Sequence, residues 1–172
     1  MSFFSKLKKS LFPVEESKSD IEKRNFFNIR CGDILTYYGE DYVVSATFIY
    51  EDGDFKWYSY GFKDLEENQK FLSVVEDDSL ELVIWEEIII PVNEPISSTF
   101  SHSGKSFNQT EHGMANVTRT IESGKKSQFR TEYWDFEAKD GEMLSIEKAG
   151  GSLTVSIGKS VKDFEIEILP GS

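Results

Sequence analysis

Cys31 is the only cysteine among 172 residues, so no disulfide can form within the chain, and neither a Cys-x-x-Cys redox pair nor a multi-cysteine zinc site can be built. A reducing compartment fits. Histidine is nearly as scarce. His102 and His112, with Glu111, are the residue types a zinc or iron site uses, but their spacing matches no metal motif and they lie in a Ser-, Gly- and Asn-rich stretch. They read as solvent-exposed loop histidines, and neither metal nor cofactor is expected. Positive charge is in deficit: 19 Lys plus Arg stand against 31 Asp plus Glu, and a net charge of -12 repels a phosphate backbone. Nucleic acid is therefore not an expected partner. No apolar run approaches the roughly 18 residues of a spanning helix, and the first residues lack the apolar core and cleavage site of a signal peptide, which reads as a cytoplasmic protein. There is no Gly-x-Gly-x-x-Gly, no phosphate loop and no Gly-x-Ser-x-Gly elbow; Ser103-Gly-Lys-Ser106 lacks the upstream glycine that a phosphate loop needs.

What is present begins with a basic head. Apolar Phe3, Phe4, Leu7, Leu11 and Phe12 recur near helical spacing, with Lys6, Lys8 and Lys9 between them. The spacing predicts a short amphipathic helix that either meets an anionic membrane surface at the inner face of the cell membrane or docks on the rest of the chain. Residues 1–24 read as this segment and its tether, and 25–172 as a single β domain.

From Phe26 onward the pattern has period two. Ile34 to Tyr38, Tyr42 to Tyr50, Phe55 to Phe62, Lys70 to Val75 and Leu80 to Ile90 read as five strands, with Asp52-Gly53 a strong hairpin signal. Pro91 and Pro95 mark a break. Gly104 to Gln109, Met114 to Ile121, Gln128 to Phe136, Glu142 to Glu147 and Leu153 to Ile157 follow, and a last strand, Val161 to Leu169, sets Phe164, Ile166 and Ile168 inward. Leu72, Ser73, Ser79, Leu80 and Ile84 align with Leu144, Ser145, Ser152, Leu153 and Ile157 when one residue is inserted at the turn. The expected fold is all-β, an antiparallel barrel-like or sandwich domain of two related halves, about 25–95 and 96–172, whose pairing covers faces and edges.

Catalytic candidates are thin. Glu86-Glu87, Asp77-Asp78 and Asp52 with Asp54 fall at turns or strand ends, where solvation accounts for them, and Asp52-Gly53-Asp54 lacks the other ligands of a calcium loop. Cys31 reads as a small buried residue opening the first strand, although Arg30 beside it leaves a lowered thiol pKa open. No catalytic residue is expected. Aromatics are the unusual feature, at 14% of the chain. Tyr37, Tyr38, Tyr50, Trp57, Tyr58, Tyr60, Tyr133 and Trp134 exceed what one-sided burial needs. Two readings stay open: cross-strand aromatic pairs fringing a core, or a groove for a ligand or partner.

Cys31-Gly-Asp-Ile-Leu35, Tyr38-Gly-Glu-Asp-Tyr-Val-Val44, Trp57-Tyr-Ser-Tyr60, Phe71-Leu-Ser-Val-Val-Glu76, Tyr133-Trp-Asp-Phe-Glu137 and Leu144-Ser-Ile-Glu147 resemble a bacterial family known as domain of unknown function 4178, over roughly residues 27 to 169. The family brings no established activity and no catalytic residue. Its members tend to be encoded near membrane-stress proteins and polyamine synthase-like enzymes, which implies an envelope-linked role. The functional expectation is a non-enzymatic accessory or adaptor protein with an unidentified protein partner. The alternatives are a β module binding a small, polyamine-like cation, and an enzyme of unknown class.

Overall fold

The computed structural model describes residues 23–172. The expected amphipathic helix and its membrane-contact residues, Phe3 to Phe12, lie outside the described residues.

Eleven strands form: β1 Ile34–Tyr37, β2 Glu40–Asp52, β3 Phe55–Lys63, β4 Gln69–Glu76, β5 Leu80–Ile88, β6 Thr99–His102, β7 Lys105–Ile121, β8 Lys126–Ala138, β9 Met143–Ala149, β10 Ser152–Val161 and β11 Ile166–Leu169. All pairings are antiparallel, in the order β11-β1-β2-β3-β4-β5-β10-β9-β8-β7-β6. Strand β2 also pairs with β7, from Ala46 opposite Ile121 to Glu51 opposite Asn116. That pairing closes eight strands, β2-β3-β4-β5-β10-β9-β8-β7, into a ring, and leaves β1, β11 and β6 outside it. The all-β antiparallel expectation is met.

The strand order is symmetric. Strands β1 to β5 form one meander and β6 to β10 another, and they meet through β2 with β7 and through β5 with β10. Corresponding turns share chemistry. Tyr38 and Gly39 have φ of 51° and 78°, and Ser103 and Gly104 have 49° and 75°. Two successive left-handed residues match the right-handed twist of a tight hairpin, and the glycine adopts that conformation without a Cβ clash.

Each meander packs its apolar face outward from the ring. On the first, Leu35, Val44, Tyr60, Phe62, Leu72 and Val74 are buried together with Ile29 and Ile166. On the second, Phe107, Trp134, Phe136, Leu144, Ile146 and Val155 form the core, roofed by Ile90, Val92 and Ile96 of the segment between β5 and β6. Because strand side chains alternate, the opposite face of the same strands turns into the ring. Asp33, only 2% exposed, ties the sheet edge together: its carboxylate accepts from the Arg24 side chain at 2.6 Å and from the amides of Arg30 and Gly171 at 2.8 Å each. It links the segment before β1 to the end of the chain.

Three strand expectations need correction. The two strands expected at Gly104 to Gln109 and Met114 to Ile121 are one 17-residue strand, β7, whose register against β8 runs from Phe107–Ala138 to Thr120–Lys126 with one shift near Thr110. Its polar middle forms strand because the ladder hydrogen bonds are backbone bonds. The region just after Pro95 also yields a strand, β6. The expected last strand, Val161 to Leu169, is split by a 3-10 turn at Asp163–Glu165, which leaves Phe164 83% exposed, while Ile166 and Ile168 face the core as expected.

Candidate functional site

The inward face of the ring encloses a cavity of about 390 Å³ lined by side chains from all eight ring strands. This is within the roughly 300–1,000 Å³ of small-molecule sites.

One wall is aromatic. Phe48 and Tyr50 of β2, Trp57 of β3 and Phe71 of β4 line it. Tyr50 and Trp57 are cross-strand partners whose rings stack at 5.0 Å and 14°. Trp57 meets Tyr133 edge to face at 5.6 Å, and Phe48 meets Phe71 at 5.9 Å. The π surface is continuous, and it already carries one cation: the Arg119 guanidinium lies 5.8 Å from the centre of the Phe48 ring, at the open end.

The other wall is carboxylate and hydroxyl. Asp135 of β8, Ser145 of β9, Ser156 of β10 and Glu87 of β5 are successive cross-strand partners, and Glu111 of β7, opposite Asp135, lies exposed beyond the lining. Glu147 lies two residues along β9, opposite Tyr133 on one side and Thr154 on the other. Ser145 Oγ donates to Asp135 Oδ1 at 2.6 Å, and the Tyr50 hydroxyl lies near enough to Glu147 to hold its pKa down. Burial pushes Asp135 up to about 6, with Glu111 adding to the rise and the Ser145 bond opposing it. Burial also pushes Glu147 up to about 7, with Asp135 and Glu87 raising it further and Tyr50 opposing. Both shifts arise because a carboxylate in this cavity trades water for aromatic carbon and like charge. The Trp85 indole donates to Ser73 Oγ at 2.8 Å across the base of the wall.

Two glycines make room. A Cβ at Gly113 would lie 2.6 Å from the Tyr133 hydroxyl oxygen, which instead reaches Asp52 at 3.0 Å and Glu111 at 3.3 Å. A Cβ at Gly158 would lie 2.6 Å from the Trp85 ring.

The eight aromatic residues singled out in the sequence divide among four places. Tyr50, Trp57 and Tyr133 line the cavity. Tyr37, Tyr58 and Tyr60 pack in the first outer core, where Tyr60 donates to the carbonyl of Phe26 at 2.7 Å. Trp134 belongs to the second core, and Tyr38 is 72% exposed in the β1–β2 turn. His112 is on a strand and not in a loop: it stacks on Trp134 at 5.0 Å and bonds Glu132 at 2.9 Å. Cys31 is partly exposed, against expectation, with its Sγ near the carbonyls of Ser45 and Thr120. Its thiol is pushed up by burial and by Glu122, the opposite direction from the lowered thiol pKa left open by Arg30. Among the described residues no group of three or more His, Cys, Asp or Glu is placed to hold a metal ion, and no helix is long and apolar enough to cross a membrane.

Sequence reasoning missed Asp135 and Glu147. Both alternate with core residues, in Tyr133-Trp-Asp-Phe136 and Leu144-Ser-Ile-Glu147, and so read as solvent-facing.

The chain is 28% identical over 147 residues to uncharacterised proteins from mycobacteria, Mb2628 of Mycobacterium bovis and Rv2597 of Mycobacterium tuberculosis, a match that covers 81% of this chain and 70% of each relative. No solved structure matches it. Residues 30–163, which hold every ring strand and the cavity, match the family described as a domain of unknown function, DUF4178, and the chain belongs to that family.

Proposed function

We propose that the chain is a non-enzymatic binding module that takes a small organic cation into the ring. One observation carries the reading: a concave cavity joins an aromatic wall to Asp135 and Glu147, and Arg119, exposed at its open end, is the only Lys, Arg or His among the described residues that line it. A ligand cation would neutralise carboxylates that are costly to ionise there, and would lie against π faces that attract positive charge. The site lies between the two meanders. We take these to be two copies of one five-strand unit, a reading supported by the matched turns and by Leu72 and Leu144, each fully buried in its own half's core.

Calorimetric titration of the full chain at pH about 8 with butylamine, putrescine and spermidine tests this. At least one is expected to bind with a submillimolar Kd, and Asp135→Asn with Glu147→Gln is expected to abolish that binding. No heat from any of the three at millimolar concentration would overturn it.

The adaptor role is the second reading, supported by Tyr38 and Phe164, both strongly exposed near β11, the terminal strand of the sheet. In that role the chain would work through protein contacts at the envelope, with residues 3–12 meeting an anionic membrane surface.

A further inference from the structure

The two meanders line the cavity with corresponding positions but unlike chemistry. Counting from Leu72 and Leu144, Ser73 corresponds to Ser145, and their cross-strand partners are Ser59 and Asp135. Two residues further along β4 and β9, Val75 corresponds to Glu147. At two of the cavity positions matched in this way the first meander offers a hydroxyl and an isopropyl group where the second offers carboxylates. Glu87 is the one cavity carboxylate from the first meander. It lies on β5 opposite Ser156, exposed at the open end, and is close enough to raise Glu147, so it adds to the second meander's side. Negative charge is thus gathered around Asp135, Glu147 and Glu87, while most of the π surface lies on β2 to β4, with Tyr133 and Phe129 of β8 extending it.

From this asymmetry we infer that the ligand is a monoamine with a flat apolar body, held in one orientation, its ammonium on Asp135 and Glu147 and its body along Tyr50, Trp57 and Phe71. The inference rests on the cation-binding reading and narrows it. A diammonium of the putrescine kind needs acceptors at both ends, and the aromatic side offers its second charge no carboxylate. A quaternary ammonium fits less well than a primary one. Asp135 keeps lone pairs beyond the bond from Ser145, Glu147 has its own to offer, and an –NH₃⁺ supplies three donors for them where a quaternary group supplies none.

The test is calorimetry on the full chain at pH about 8 with 2-phenylethylamine, butylamine, putrescine, tetramethylammonium and neutral 2-phenylethanol. 2-Phenylethylamine is expected to bind at least about tenfold more tightly than each of the others. Trp57→Leu is expected to reduce its affinity to that of butylamine while leaving butylamine unchanged. Phe71→Leu gives the same readout if the Trp57 variant does not fold. Putrescine binding as tightly as 2-phenylethylamine, or aromatic-wall variants that weaken all amines equally, would overturn the single orientation and leave the cation site standing. Tetramethylammonium binding as tightly would overturn the primary-amine preference. 2-Phenylethanol binding as tightly as its amine would remove the ammonium from the account, and no binding by any amine would overturn both inferences.

Discussion

Asp135 and Glu147 hold their protons to higher pH in the folded chain than they would unfolded, because the ring denies their charged forms water. The stabilisation this brings is therefore complete below their ordinary values of 3.8 and 4.5, and it is lost as pH rises through about 6 and about 7. Asp135→Asn with Glu147→Gln removes the ionisations while keeping an acceptor for Ser145. The double variant is expected to match the wild-type Tm near pH 4 and to exceed it by several degrees near pH 8, a gain on the order of 2 kcal/mol. Thermal melts across that range check this, and parallel Tm curves for the two proteins would show that neither carboxyl titrates in a buried setting.

At the scale of elements, the ring depends on close approach between strands, and Gly158 of β10 is the sharpest instance. Gly158→Ala would put a methyl group about 2.6 Å from the Trp85 ring, so the indole must move and its 2.8 Å bond to Ser73 must lengthen or break. The expected cost is about 1–3 kcal/mol, with a change in tryptophan fluorescence, and an unchanged spectrum and Tm would contradict the packing described. The strands themselves were largely legible. Period-two runs such as Lys70 to Val75 and hairpin signals such as Asp52-Gly53 state their structure locally. Strand β7 was not, because Asn108 to Gly113 carries no apolar alternation and is held by pairing with β8, a contact distant in sequence. The cavity was hidden for a different reason. Ser59, Ser73, Asp135, Ser145 and Glu147 alternate with buried core residues as a solvent-facing row does. Only the β2–β7 and β5–β10 pairings, which no local pattern announces, fold that row inside.

For the whole molecule, the outcome is an inversion of the usual small barrel. Two apolar cores sit outside the ring, covered by β1 and β11 on one side and by the segment between β5 and β6 on the other, and within it the aromatic face of the first meander, with Ala115 and Val117 of β7, meets the carboxylate-bearing face of the second. Such an interior costs stability unless its carboxylates find partners, and a cation supplies them. The groups facing Asp135 and Glu147 are Ser145, Tyr50, Glu111 and Glu87, with Arg119 at the open end, so on this account deprotonation of the carboxylate pair governs how binding changes between weak acid and weak base. The most direct test is the Kd of 2-phenylethylamine, an amine that stays protonated throughout, measured by calorimetry from pH about 5 to about 9. Affinity is expected to rise tenfold or more as pH passes through about 6 and about 7 and then level off, with the dependence absent from the Asp135→Asn, Glu147→Gln variant. Affinity that stays flat over this range, or that strengthens in acid, would contradict a cation held by these two carboxylates.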